Sequence, residues 1–138
     1  MDRRAFLQGL LGVGAVALAG CAAVTSVHVQ PVDGVLRLRL AEHPGLAGPG
    51  GRLQVAPGPG SEPIYVLAGP DGEYLALSPR CTHQGCTVGI EGQVLVCPCH
   101  GSTYDRAGRV LRGPAERPLR RYTTRLEGGT LLISLGAT

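Results

Sequence analysis

The sequence predicts a small all-β domain, a sandwich or barrel of short strands, and three observations carry that expectation. Glycine (22) and proline (11) are abundant among 138 residues, which favours frequent turns over long helices. No apolar repeat of helical period is sustained beyond residue 25. Instead Leu36, Leu38 and Leu40 alternate with Arg37 and Arg39, the period-two pattern of a half-buried strand.

That strand covers Val35 to Leu40. Residues 41–51, with Pro44, Pro49 and four glycines, form a loop. Further strands are expected over Arg52–Val55, Ile64–Ala68, Glu73–Ser78, Val94–Val96, Leu119–Leu126 and Thr130–Leu135. Turns are signalled by Pro70-Asp71-Gly72, Glu91-Gly92 and Gly128-Gly129. Aromatic residues make up 4% of the chain, with one Phe and no Trp. The core is therefore built from Val, Leu, Ile and Ala. A Gly-rich domain of this size commonly needs a disulfide or a metal as a staple.

Residues 1–24 do not belong to that domain. Arg3 and Arg4 precede an apolar run from Ala5 to Val24, the order of an export signal. Asp2-Arg3-Arg4-Ala5-Phe6-Leu7 resembles a twin-arginine signal, an address for proteins exported already folded. Leu18-Ala19-Gly20-Cys21 resembles a bacterial lipobox, which makes Cys21 a candidate for lipidation. An uncleaved span is the competing expectation, because Ala5 to Val24 is just long enough to cross a bilayer. The plain alternative is a cysteine removed with a signal peptide. Each places the domain outside the cytoplasm, near a membrane. The net charge of +3 comes from arginine, without any lysine. These arginines are scattered and lack aromatic stacking partners, so nucleic acid is not expected as a partner.

The chemistry lies in two boxes. Cys81-Thr82-His83-Gln84-Gly85-Cys86 is the first, and Cys97-Pro98-Cys99-His100-Gly101-Ser102 is the second. Each offers two Cys and one His, too many in total for one four-coordinate ion. A structural zinc site fits the spacings. A framework of disulfides suits an exported chain but gives His83 and His100 no task.

These boxes resemble the two cluster-binding motifs of Rieske iron–sulfur proteins, closely over residues 78–115 and only in character beyond. The resemblance implies a Rieske-like antiparallel sandwich or barrel over 25–138, with 78–115 as a small cluster-binding subdomain. It implies a 2Fe-2S cluster with Cys81 and Cys97 on one iron and His83 and His100 on the other. Cys86 and Cys99 then correspond to the disulfide that ties the two loops in the quinol-oxidising branch. Ser102 and Tyr104 match hydroxyls that bond to cluster sulfur in high-potential members. Gly113-Pro114-Ala115 resembles the loop covering the cluster's third side. Gly85 and Gly101 suit tight backbone bends. Exchanging two thiolates for neutral imidazoles makes reduction easier. Rieske potentials accordingly span roughly −150 to +300 mV, against about −400 mV for all-cysteine plant-type clusters.

The implied function is one-electron transfer in a quinol:cytochrome oxidoreductase, between a membrane quinol/cytochrome b-like subunit and a periplasmic cytochrome c. The chain alone is a carrier rather than an enzyme. Asp71 and Asp105 are turn residues, and no catalytic nucleophile or base is evident. A Rieske subunit of an arsenite-oxidase-like enzyme is the alternative, although Gly101 follows His100 where that family commonly has Phe. A ferredoxin-like oxygenase donor would lack Cys86 and Cys99, and a zinc-stabilised binding module is the non-redox option. Two departures from the respiratory pattern stand out. Only ten residues separate Cys86 from Cys97, which predicts a short hairpin there, and Gln84 replaces the usual Leu beside His83.

Overall fold

The computed structural model describes residues 24–136. The twin-arginine-like motif, the apolar run almost to its end and Cys21 lie outside the described residues. Eleven strands are described, in two sheets. The larger is built from β1 (Ser26–His28), β2 (Val35–Arg39), β3 (Arg52–Ala56), β4 (Ile64–Ala68), β5 (Tyr74–Leu77), β10 (Arg121–Glu127) and β11 (Thr130–Ser134), in the order β1-β3-β4-β5-β10-β11-β2. Its pairs are antiparallel except β1 with β3. The smaller sheet runs β6 (Gly89–Glu91), β7 (Val94–Val96), β8 (Thr103–Asp105) and β9 (Val110–Arg112), all antiparallel.

Side-chain alternation explains the larger sheet. Leu36 and Leu38 of β2, Leu53 and Val55 of β3, and Leu131 and Ile133 of β11 face one buried core. Strands β2 and β3 stand far apart in the sheet order yet share that core, so the sheet curls towards a barrel. Strand β4 is buried at all five positions. It divides two cores: Ile64 and Val66 face the first, while Tyr65 and Leu67 face a second built mainly from residues 77–119. Being buried on both faces, β4 reads as a continuous apolar run rather than an alternating one.

The smaller sheet enters between β5 and β10. Leu77 pairs with Arg121 and Ala76 with Tyr122, so residues 78–120 form one excursion between neighbouring strands. Within it, β6 and β7 make the short hairpin expected between the boxes. The expected strands all occur: Ile64–Ala68 and Val94–Val96 keep their bounds, and the others shift at one or both ends. The largest shift is at Leu119, expected as a strand start. Its amide bonds to the Gly108 carbonyl and its side chain is buried in the second core, so the ladder begins at Arg121. The loop expected over 41–51 contains two 3₁₀ turns, Leu40–Glu42 and Pro44–Leu46, the second of which buries Leu46.

Arg106 joins the two sheets. Its guanidinium donates to the carbonyls of Gly51 (3.1 Å) and Ala68 (3.4 Å) in the base and Gly92 (3.4 Å) in the β6–β7 turn. Burial, and then the charge of Arg52, lower its pKa from the usual arginine value. Arg106→Met keeps the stem but removes the guanidinium bonds to these carbonyls, of which Gly51 still accepts the Ala68 amide. It should destabilise the fold by about 2 kcal/mol, read as a lower urea midpoint with an unchanged slope. Asp105, as expected, is a turn residue: its carboxylate accepts the amides of Ala107 and Arg109, both at 2.9 Å.

Candidate metal centre

Both boxes are hairpin tips with the same backbone pattern. In the first, the Cys81 amide donates to the Cys86 carbonyl (2.7 Å) and the Gly85 amide donates to the Cys81 carbonyl (2.9 Å). In the second, the Cys97 amide donates to the Ser102 carbonyl (2.8 Å) and the Gly101 amide to the Cys97 carbonyl (3.0 Å). Each tip therefore has six residues, with Cys first and Gly fifth. Both glycines are left-handed, at φ 79° and 80°, where a side chain would be strained. The first tip stands on the Arg80–Thr87 bridge, and the second joins β7 to β8.

This pattern sorts the donors. The first-position cysteines, Cys81 and Cys97, are each 2% exposed and carry free thiols. His83 and His100, third and fourth in their tips, are exposed. Their rings meet edge to face with centroids 5.0 Å apart. Cys86 and Cys99 form a disulfide across the tips, with Cα atoms 6.5 Å apart. The six candidate ligands thus divide into two buried thiols, two exposed imidazoles and one disulfide. The sulfurs of Cys86, Cys97 and Cys99 lie within 4.8 Å of one another. Two of those are bonded to each other and have no thiolate to offer a metal.

Tyr104, fully buried on β8, reaches the first tip. Its hydroxyl lies 3.3 Å from Cys81 Sγ, accepts the Thr82 amide at 3.2 Å and touches Thr82 Oγ1 at 3.1 Å. Thr82 Oγ1 donates in turn to the Arg117 carbonyl at 2.7 Å, so its proton is engaged elsewhere. Burial pushes the Cys81 thiol up. Hydrogen bonds from Tyr104, the His83 amide, Cys97 and the Gln84 amide outweigh it and hold the thiol below its ordinary value. Tyr104 is raised, first by burial and then by its bond to Cys81. A phenol that keeps its proton can donate it to the Cys81 sulfur, which as a thiolate can only accept.

Ser102 is buried and accepts the Ala115 amide at 3.0 Å. That bond ties the second tip to Gly113-Pro114-Ala115, of which Pro114 and Ala115 line a hollow together with Thr82 and His83. Sequence reasoning assigned no task to Thr82, which links Tyr104 to the chain at Arg117. Its place directly after a candidate ligand was the available signal.

Two thiols and two imidazoles, with a hydroxyl already bonded to one sulfur, fit the mixed ligation of a two-iron, two-sulfur cluster. They fit a closed zinc site less well, because both histidines stand at the surface. Comparisons agree. A family model described as "Rieske [2Fe-2S] domain" matches residues 50–123. The cytochrome b6-f complex iron-sulfur subunit of Chlorobaculum tepidum is 31% identical, covering 97% of this chain and 76% of that protein. The cytochrome b6-f complex iron-sulfur subunit 2 of Trichormus variabilis is 33% identical over 97% of this chain and 85% of its own. Among solved structures, the plasma membrane protein PetC3 of Synechocystis is 38% identical with a TM-score of 0.54, over 61% of this chain and 86% of that one.

Proposed function

The chain belongs to the Rieske [2Fe-2S] family, and from that premise we propose that Cys81 and Cys97 hold one iron and His83 and His100 the other. Its cofactor is a 2Fe-2S cluster, and its task is one-electron transfer in a quinol oxidoreductase complex. When bound, that cluster stores and releases a single electron.

The observation carrying the ligand assignment is the pairing of two buried free thiols with two exposed, touching imidazoles. Burial of Cys81 and Cys97 keeps water from one end of the site. Exposure of His83 and His100 opens the other end to a substrate. A ring nitrogen not bound to iron can hold or release a proton there, so each histidine can receive a hydroxyl proton of quinol as the electron passes inward. Tyr104 steadies negative charge on the Cys81 sulfur, and Ser102 does the same from the second tip. Both effects raise the potential.

A cytochrome b-like membrane subunit then supplies quinol, and a periplasmic cytochrome c takes the electron. The Cys86–Cys99 disulfide supports a site in an oxidising compartment outside the cytoplasm. With Arg3, Arg4 and Cys21 it favours export and attachment to the membrane, through a lipid on Cys21 or an uncleaved span. The arsenite-oxidase-like alternative is not favoured by the cytochrome b6-f relatives.

The test is a titration of the midpoint potential of the cluster-bearing chain against pH. A value above about 0 mV is expected. It should fall at alkaline pH, because oxidation makes the bound imidazoles easier to deprotonate. A low potential that ignores pH would overturn the quinol reading and point to an oxygenase donor.

A further inference from the structure

Charge is divided unevenly along this chain. Residues 78–122 carry seven arginines against three acids, whereas the remainder of 24–136 carries four arginines against six. The excess is also placed. A groove of about 400 Å³ runs along the first tip, lined by Cys81 through Gly85 on one side and by Arg80, Arg117, Arg120, Glu62 and Ser78 around them.

Its arginines are held in different ways. Arg80 lies across the tip, with Nε 3.0 Å from where a Gly85 side chain would begin. Arg120 stacks on Tyr122 with its guanidinium carbon 4.8 Å from the ring centre, which fixes its direction. Arg117 follows the covering loop and is anchored through its carbonyl to Thr82. None of the three pairs with an acid among the described residues. Glu62, the one carboxylate in the groove, accepts from Ser78 Oγ at 3.0 Å. Glu116 lines the neighbouring hollow together with His83 and Arg117.

We infer that this groove is the docking surface for the electron acceptor, and that the acceptor presents an acidic face to it. The inference rests on the electron-transfer reading above and adds the chemistry of the partner. Three arginines line the same groove as His83, so a partner with carboxylates around its redox centre is drawn to where the electron leaves. Gln84 is consistent with this surface: a polar residue suits a charged, hydrated contact better than an apolar plug. A low-lying charge excess of this kind raises association rates by about 10- to 1,000-fold at low salt and loses that advantage as salt screens it.

The experiment is stopped-flow oxidation of the reduced, cluster-bearing chain by an acidic c-type cytochrome. The same cytochrome, with its surface carboxylates amidated, serves as control. With the acidic form the bimolecular rate constant should fall steeply as ionic strength rises, and with the amidated form it should not. Arg80→Gln combined with Arg117→Gln should slow the acidic reaction about tenfold or more at low salt and flatten its salt dependence. Arg120→Gln is tested separately, because it also loses its stacking on Tyr122. Midpoint potential and its pH dependence are measured on every variant, so a failed quinol reading shows there and not in the salt dependence. A fully loaded variant that reacts as fast as the parent at every ionic strength would overturn the inference. So would salt-sensitive binding to phosphatidylglycerol vesicles lost in the double variant, with cytochrome oxidation unchanged; that outcome would assign the groove to a lipid surface.

Discussion

Replacing both Cys86 and Cys99 by serine is expected to lower the thermal midpoint by about 12–24 °C and to cost the chain most of its bound iron. The first part follows from chain entropy. The bond closes a loop with a sequence separation of 13, for which a cross-link contributes about 3 kcal/mol. In a domain of this size each kcal/mol corresponds to about 4–8 °C. The second part follows from what the bond joins. It links the sixth residue of one tip to the third of the other. The proposed ligands Cys81 and His83 belong to the first tip, Cys97 and His100 to the second. Each tip holds its own shape by backbone bonds, but their spacing relies on this cross-link, on Ser102–Ala115 and on Tyr104. Iron and acid-labile sulfide per chain, measured on purified variant and parent, check the prediction. Full loading in the variant at the parent's thermal midpoint would show that packing around Leu95 and Tyr104 alone sets the spacing.

Tyr104→Phe should leave the fold and iron content largely intact and lower the midpoint potential by about 40–65 mV. The hydroxyl lies 3.3 Å from Cys81 Sγ; against a metal-bound thiolate, which can only accept, it is the donor, and that bond strengthens as the sulfur gains negative charge on reduction. A difference of about 1–1.5 kcal/mol between the two states is reasonable for a charge-assisted bond. It converts at about 59 mV per tenfold change for one electron. Phe retains the packing of the ring in the second core, so the loss isolates the hydroxyl. Redox titration is the readout, with Thr82→Val as companion. That change removes the contact at Thr82 Oγ1 and the anchor to Arg117 but keeps the Thr82 amide bond. If Tyr104→Phe left the potential unmoved while Thr82→Val raised it, the phenol would be bonding to Thr82 in the parent and not to sulfur.

The site was legible in the sequence because its chemistry is concentrated in two runs of six residues. Cysteine and histidine at those spacings have few other uses, and Gly85 and Gly101 mark the bends. The base sheet was legible where strands alternate, as in Val35–Arg39 and Thr130–Ser134, and where β4 forms an unbroken apolar run. Strands β1, β6, β8 and β9 have three residues each, too few to show a period. Only the hairpin containing β6 was anticipated, from the distance between the boxes. The role of Thr82, the bridge made by Arg106 and the arginine groove depend on contacts across 14 to 55 residues of chain. No local pattern encodes them. The pairing of Cys86 with Cys99 came from likeness to a family, since spacing alone allows other partners.

The facing pair Leu77 and Arg121 makes the redox apparatus a cassette. Everything from residue 78 to 120 leaves the base and returns to it through one rung of one ladder, and none of those residues contributes to the first core. A larger sheet lacking the cassette would need a tight turn at that rung and polar side chains in place of Tyr65, Leu67 and Leu77, which the cassette covers. Conversely, the cassette asks of its host one antiparallel pair, carbonyls placed like those of Gly51 and Ala68 to receive Arg106, and a wall carrying the equivalents of Tyr65, Leu67 and Leu77. Such a module can be carried by hosts of different tethering and partners, with its six-residue tips left unchanged.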